Sequence, residues 1–589
     1  MVNPITLEVV RNALVAYADE MATVLCRTAY NMMIFEVRDY CVGICDPDGA
    51  LIAQNTGGLP IFLADLGAAI KGAVDIHGID GFEPGDVLIS NDPKVCGQHL
   101  NNVVVFTPFF FEGRLVAFPA LRAHWVDVGG GSRGFGSSQS REIFDEGLQI
   151  AAMKVYKAGA PNADILRFIR DNIRYPDSSF GDLRAQIAGA RMGERRLHEL
   201  YSRYGADVMG ECIHAIWDQS ERLARAAIAK VPDGVYEAES SLDHDHLDFE
   251  TEIPIKIKVV IAGDEMTVDF SDLPRQQAGP INSGVSGGVA AARVAFKCIA
   301  SPHGVVNEGE MRPLKVILPP GKMLSALPPA PLTFWSNSLP TIIDTILRAL
   351  APVLPDRIPA AHKGDMGGFA IFGRDEARGR PFICLNIVGG GFGAKARGDG
   401  VDAVVSVCQG AVQNAPIEVQ EAYYPLIFDS LRLRQDSGGA GRRRGGLGVE
   451  MIVRSEQNVF VNTHLQRTKL APWGIDGGHD ALPNDAALET REGETMRAVV
   501  MDRRLLRPGD RLAFRMGGGG GFGDPHERPP AEVRRDVMEG SVSIEAAREL
   551  YGVAFKRGGV EIDEAATADL RKDAGPRRLR SQTAGRTKP

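Results

Sequence analysis

The sequence predicts an α+β protein of several domains, with mixed sheets, helices and a β-rich, glycine-rich C-terminal part. Three observations predict it. The chain has 589 residues, too many for one hydrophobic core. Stretches of helical periodicity alternate with tight hairpins through the first half and beyond. After about residue 380, glycine clusters and short alternating runs take over.

The chain opens with a helix, because Val9, Leu14, Met21, Leu25 and Met32 recur at roughly helical spacing. A strand pair follows, Asp39 to Cys45 and Ala50 to Gln54, joined by the turn Asp46-Pro47-Asp48-Gly49. Residues 60–79 read as another helix. A hairpin comes next: an apolar run from Val103 to Phe111, the turn pair Glu112–Gly113, and a second run from Arg114 to His124. From Asn162 to about Lys230 the pattern is helical, including DLRAQIAGARMGERRLHELYSRYG, which Gly205 ends. Near Gly234 a strand-rich unit begins, with IPIKIKVV and EMTVDF alternating on either side of Gly263–Asp264. Helices are expected around Gly288 to Ala300 and over Leu339 to Leu350. The resulting division is 1–233, an α+β domain carrying the hairpin; 234–380, a middle α/β domain; and 381–575, a glycine-rich β-containing domain. The remainder, 576–589, is a basic tail expected to be disordered, since PRRLRSQTAGRTKP has no apolar period.

Composition excludes several classes. A net charge of -9 leaves no basic footprint for nucleic acid. No run of about 18 apolar residues exists, so no membrane span is expected. The first helix contains Glu8, Asp19 and Glu20 and lacks a signal-peptide layout. Eight cysteines without CxxC spacing, two of them (Cys41 and Cys45) in a predicted strand, suit reduced thiols. A cytoplasmic protein is the expectation. The glycine runs IVGGGFGAKARGDG, RQDSGGAGRRRGGLG and RMGGGGGFGDP do not read as phosphate loops. Ala394 separates Gly393 from Lys395, Ala396 follows that lysine, and the last run does not lead into a helix. They read as turns or close backbone contacts, so the chain has no recognisable nucleotide site.

The chemistry-bearing stretch runs from Asp86 to Trp125. If Phe111 pairs with Arg114, His124 lies opposite Asn101, and His99, Asn101 and His124 share a face. Two imidazoles converging near Asp92 could hold a divalent metal; the bland alternative is two unrelated histidines beside a polar turn. In a regular strand Asn102 faces away from them, whereas a bulge would turn its amide inward, the reading favoured here. His244 and His246 in SLDHDHLDFE read as an edge strand with a solvated acidic face rather than as a ligand pair. Cys96 reads as a small buried hydrophobe, and Ser283 has no assignable base.

The order of NPITLEVVRNAL, CDPDGALIAQ, SNDP, RAHWVDVGG, EIFDEGLQI, GDLRAQIAGARMGERRL, RPLKVILPPG, LPDRIPA, RQDSGGAGRRRGGLG, APWGIDGG and GGGGGFGDP resembles the hydantoinase B/oxoprolinase family from about Pro4 to about Pro525. That resemblance implies a zinc or manganese ion held by histidines and a carboxylate. The histidine of a "GTH-x-x-D" motif falls on His99, that of "RAHH" on His124, and the aspartate of an "RRD" stretch on Asp39. Gln98 replaces the motif threonine, Asn102 its aspartate, and Trp125 the second histidine of "RAHH"; the "HTHMTN"-like segment appears as VVSVCQGAVQN. The resemblance further implies that ATP is used through a hydantoinase A-like ATPase subunit of actin-like fold, in a hetero-oligomer. It implies an ATP-dependent cyclic-amide hydrolase acting on a hydantoin, lactam or 5-oxoproline-like ring. Asp92 would be a base or orienter there, Asn102 would position water or carbonyl, and the WVDVGGGSRG glycines would approach the substrate. The alternative is a subunit of an acetone- or acetophenone-type ketone carboxylase, and a third reading is a scaffold without full metal competence.

Overall fold

The computed structural model describes residues 3–62, 64–131 and 136–572. The basic tail from Pro576 lies outside these residues, as does part of WVDVGGGSRG. An eight-stranded antiparallel sheet carries the site. Its strands are β1 (Tyr40–Cys45), β2 (Leu51–Gln54), β3 (Val87–Ser90), β4 (Asn102–Phe106), β5 (Phe109–Phe111), β6 (Arg114–His124), β7 (Met153–Lys157) and β8 (Ala160–Pro161). Their order is β2-β1-β6-β4-β3-β7-β8, with β5 paired to the first part of β6. Smaller sheets of four, four and five strands follow along the chain.

The pairing within the hairpin corrects the sequence reading. Phe111 does face Arg114 across Glu112–Gly113, whose φ values of 50° and 77° suit a two-residue turn. Between Phe110 and Phe109 the register slips: Phe110 faces Leu115, but Phe109 faces Ala117. The extra residue is Val116, and every later pair is displaced by one. His124 therefore lies opposite Asn102, not Asn101. Asn101 instead binds the backbone of Trp125, its Nδ2 donating to the carbonyl at 2.8 Å. Pro119 is tolerated in this central strand because its carbonyl, and hence its missing N–H, faces Thr107 at the gap between β4 and β5.

Helices cover the sheet. The helix Pro4–Thr28 stops short of Met32, which begins a separate short helix, Met32–Phe35; it starts at a Pro N1 and is capped by the Asn3 side chain on Ile5 N–H. It packs on the helix Pro176–Tyr204, which ends at Gly205 (φ 79°) as expected. Gly189 on that second helix lets it lie on β6: a Cβ there would come within 2.5 Å of Leu121. The predicted helix 60–79 is broken into a short turn, Pro60–Phe62, and the helix Asp65–His77. The hairpin Ile253–Ala262 and Glu265–Asp269, and the helices Val285–Ala300 and Leu339–Leu350, lie close to where periodicity placed them. The glycine runs pack backbone on backbone: Gly391 N–H donates to the Gly517 carbonyl, Gly446 N–H to Phe392 and Gly519 N–H to Gly446, at 2.9–3.0 Å. All eight cysteines are free. Among the described residues no helix is long and apolar enough to cross a membrane.

Trp125 is a structural residue. Its ring is fully buried among Val87, Ile89, Leu100 and Val103, and its Nε1–H donates to Gln186 Oε1 at 2.8 Å. Gln186 Nε2 in turn donates to the carbonyls of Val103 and Leu121 at 2.9 and 3.0 Å. One buried amide thus ties the covering helix to β4, β6 and Trp125. Replacing it by a hydrocarbon strands a buried indole N–H, at about 1–3 kcal/mol per unpaired group. Gln186→Leu should lower unfolding stability by that amount in urea denaturation, with an unchanged m-value.

Candidate active site

Three neighbouring strands bring the predicted residues into one row. Tyr40 faces Ala123 across β1 and β6, so Asp39, one residue before β1, stands beside His124; His124 N–H donates to the Asp39 carbonyl at 3.2 Å. On the other side of His124 stands Asn102. Direct cross-strand partners share a face, so Asp39, His124 and Asn102 point the same way. His99 arrives from a turn rather than a strand: Asn102 N–H donates to the His99 carbonyl at 3.2 Å, folding the ring back over the row. The His99 and His124 rings meet edge to face with centroids 5.0 Å apart. Asp92 supports this turn region, its Oδ1 accepting from Lys94 N–H at 3.0 Å and its carbonyl from Cys96 N–H at 2.7 Å.

Tautomer and charge follow from the surroundings. His99 Nδ1 lies 3.1 Å from the Thr333 carbonyl, which can only accept, so the proton sits on Nδ1 and the lone pair on Nε2. Burial, against weaker support from Thr333 and Asn102, pushes the His99 pKa down to about 4. Burial, then the neighbouring His99 and Arg122, holds His124 well below the ordinary imidazole value. Burial pushes the Asp39 carboxyl up to about 7, with Arg122 pulling the other way. Arg122 is itself buried, paired with Asp65 and hydrogen-bonded to Gln98 Oε1, and it lies over the Phe62 ring. Gln98 Oε1 also accepts from Asn102 Nδ2 at 3.0 Å, while Gln98 Nε2 donates to Asp65 Oδ1 at 3.3 Å. This fixes the orientation of both amides. Asn102 Oδ1 is left facing the site, close enough to His99 to favour its protonated form yet without hydrogen-bond geometry.

Whether the residues fit a metal is decided by their chemistry. Among the described residues no three His, Cys, Asp or Glu side chains stand as a finished metal cage. Yet Asp39 Oδ1 is buried without a hydrogen-bond partner, and the neighbouring His124, His99 and Asn102 offer two neutral imidazoles and an amide oxygen. That is a donor set for zinc or manganese, and an uncompensated buried carboxylate is what a cation would relieve. A surface cavity of about 270 Å³ lined by Asp48, Lys71, Arg293 and Glu308 shares no residue with this group.

Sequence reasoning missed a second set of histidines. His244 and His246 are not on a solvated edge: their strand ends at Leu242, and both are buried in the following loop. Their rings lie 5.2 Å apart, and His246 lies 4.9 Å from Phe334. Phe334 stacks at 4.4 Å on His464, a residue the sequence did not single out because THLQRT has no ligand spacing. Asn337 Nδ2 donates to His464 Nδ1 at 3.2 Å, leaving the His464 proton on Nε2. Trp335 meets the edge of His99 at 6.0 Å. The segment carrying Thr333, Phe334 and Trp335 is held by Glu146, whose Oε1 accepts from Leu332 and Thr333 N–H at 2.7 and 2.9 Å. Burial pushes that carboxyl up to about 8.

Comparison with known proteins identifies the family. The sequence profile described as hydantoinase B/oxoprolinase matches residues 3–525. The chain is 32% identical to a putative D-/L-hydantoinase B-type subunit from a Pseudomonas species, covering 97% of this chain and 98% of that one. It is 33% identical to the beta subunit of the Pseudomonas jessenii caprolactamase, covering 96% and 98%. The crystal structure of the ATP-dependent caprolactamase from that organism superposes with a TM-score of 0.91, covering 97% of this chain and all of that one. An acetone carboxylase structure shares the fold at 20% identity and a TM-score of 0.89, covering 97% of this chain and 82% of that one. This chain belongs to the hydantoinase B/oxoprolinase family.

The second histidine set makes a pH prediction. Burial lowers His244 to about 4, His464 to about 3, and His246 well below its ordinary 6.5. The unfolded chain takes up these protons below about pH 6.5, and the folded chain does not until about 4 or lower. Their contribution to stability is therefore full above about pH 6.5 and falls as the solution is acidified towards 4. In calorimetric scans, His464→Gln should lose less Tm than the wild type between pH 6.5 and 4. Equal losses would mean that His464 takes up its proton as readily in the fold as in the unfolded chain. The raised carboxyls Asp39 and Glu146 act with the opposite sign and cancel in the comparison.

Proposed function

We propose that this chain is the metal-containing B-type subunit of an ATP-dependent cyclic-amide hydrolase. It would open a hydantoin, lactam or 5-oxoproline-like ring that a hydantoinase A-like partner ATPase has phosphorylated on the carbonyl oxygen. The observation that carries the reading is the row Asp39–His124–Asn102 with His99 folded over it. The relatives named as a hydantoinase and an ATP-dependent caprolactamase support the substrate class. A chain without a phosphate-binding loop suits a division of labour in which ATP is spent on the partner, as the naming of a caprolactamase beta subunit also suggests.

Asp39, His99 Nε2 and His124 would hold a divalent zinc or manganese ion. Once bound, the ion supplies Lewis acidity for a carbonyl or a water. The protein's own groups do the rest. Burial keeps both imidazoles unprotonated and able to donate lone pairs. Asn102 Oδ1, its amide oriented by Gln98, accepts a hydrogen bond from water and aims it at the ring carbon. Asp92 shapes the turn that delivers His99. Water adds to the activated carbon, and the ring nitrogen leaves with the bonding pair and takes up a proton. The acyl phosphate left behind is hydrolysed by a second water. A ketone carboxylase subunit is the second reading, favoured by the fold shared with acetone carboxylase.

Co-purification with the partner ATPase should give ATP turnover dependent on a cyclic amide; bicarbonate-dependent turnover with a ketone would select the second reading. Elemental analysis should find about one divalent ion per chain. His99→Ala and His124→Ala should lose it with far-UV circular dichroism unchanged, and either variant retaining full occupancy removes the assignment. The isolated chain should show no calorimetric ATP binding at micromolar concentrations.

A further inference from the structure

Beyond His99, a group of buried aromatic and polar side chains stands together. Phe334 offers an aromatic face set between His246 and His464, and Trp335 reaches back to the edge of His99. Around this ring pair, Trp335 Nε1, Asn337 Oδ1 and both ring nitrogens of His246 are buried with no hydrogen-bond partner among the described residues. Buried polar groups are almost always partnered, so four orphaned atoms on three neighbouring side chains mark a surface made to meet something polar. Their types are informative: an indole N–H that only donates, an amide oxygen that only accepts, and an imidazole that does one of each.

The surface is also uncharged. Burial keeps the histidines neutral, and the nearby cations are committed elsewhere. Lys363 donates to the Val388 carbonyl and pairs with Asp365, and Arg122 pairs with Asp65. A carboxylate held against Phe334, between His246 and His464, would be desolvated with no protein cation to pair with it.

Resting on the cyclic-amide reading above, we propose that Phe334, Trp335, Asn337 and His246 form the subsite for the substrate ring, and that it takes a neutral planar ring with N–H beside C=O and no carboxylate. Trp335 Nε1–H donates to a ring carbonyl, Asn337 Oδ1 accepts the ring N–H, and His246 serves a second polar edge. Hydantoin and simple lactams satisfy this pattern; 5-oxoproline, which carries a carboxylate, does not.

The test is titration calorimetry on the full-length chain with hydantoin, 2-pyrrolidone and 5-oxoproline as probes, in the absence of ATP and partner. Hydantoin and 2-pyrrolidone should bind, and 5-oxoproline should bind at least tenfold more weakly. Trp335→Phe removes the N–H donor together with part of the aromatic face, so hydantoin affinity should fall at least tenfold while metal content stays unchanged. His246→Phe provides an independent variant with the same expected direction. Equal binding of 5-oxoproline and 2-pyrrolidone, absence of any neutral-ring binding, or unchanged affinity in both variants overturns the subsite. Neutral-ring binding that is lost in the variants, together with no ring opening when partner and ATP are supplied, supports the subsite and overturns the hydrolase reading instead.

Discussion

A one-residue slip in the pairing of β5 with β6 decides which side chains meet some distance away. Because side chains alternate faces along a strand, inserting Val116 exchanges inside for outside at every subsequent pair. Asn102 is thereby placed beside His124, and Asn101 is turned to brace Trp125. Asp39 completes the row through the separate pairing of β1 with β6. The Gln98–Asn102–Arg122–Asp65 network and the Glu146–Thr333–His99 link then only need to orient groups that the sheet has already gathered.

Burial sets the electrostatics of the region. Five imidazoles, His99, His124, His244, His246 and His464, are removed from water and kept neutral, while the cations Arg122 and Lys363 are paired with Asp65 and Asp365. Such a region is poor in free charge and rich in directional donors and acceptors. Asp39 stands in it as a buried carboxyl that burial pushes up to about 7 against the pull of Arg122. The choice of Asn over Asp at position 102 avoids a second such carboxyl without removing the oxygen.

Much of this was legible in the sequence, for reasons specific to each element. The turn Glu112–Gly113, the hairpin about Gly263–Asp264 and the helix Leu339–Leu350 are local features, and local periodicity and turn chemistry found them. The inward placement of Asn102 could be argued from the need to satisfy a polar residue in an apolar strand. The position of the bulge could not, since Phe109, Phe110 and Leu115 are all apolar and either register buries them. His244 and His246 were misread because flanking aspartates look solvated in sequence. In the fold Asp243 and Asp245 are spent on backbone N–H groups of Thr468, Lys469, Leu247 and Asp248. His464 had no signal at all: its partners, Asn337 and Phe334, lie more than a hundred residues away in the chain and come close only by folding.

The glycine runs have a bearing on how this protein can vary. A methyl group on Gly391 would sit 1.9 Å from the Gly446 carbonyl, one on Gly445 1.8 Å from that of Gly519, and one on Gly519 2.0 Å from that of Phe392. Each obstacle is main chain, which no rotamer change can move aside. Every missense change of a glycine codon introduces a β-carbon, so at the gene level these three codons admit silent substitutions and little else. The stretches that most resemble a nucleotide loop to the eye are thus stretches where a genetic screen for lost function would collect lesions of folding.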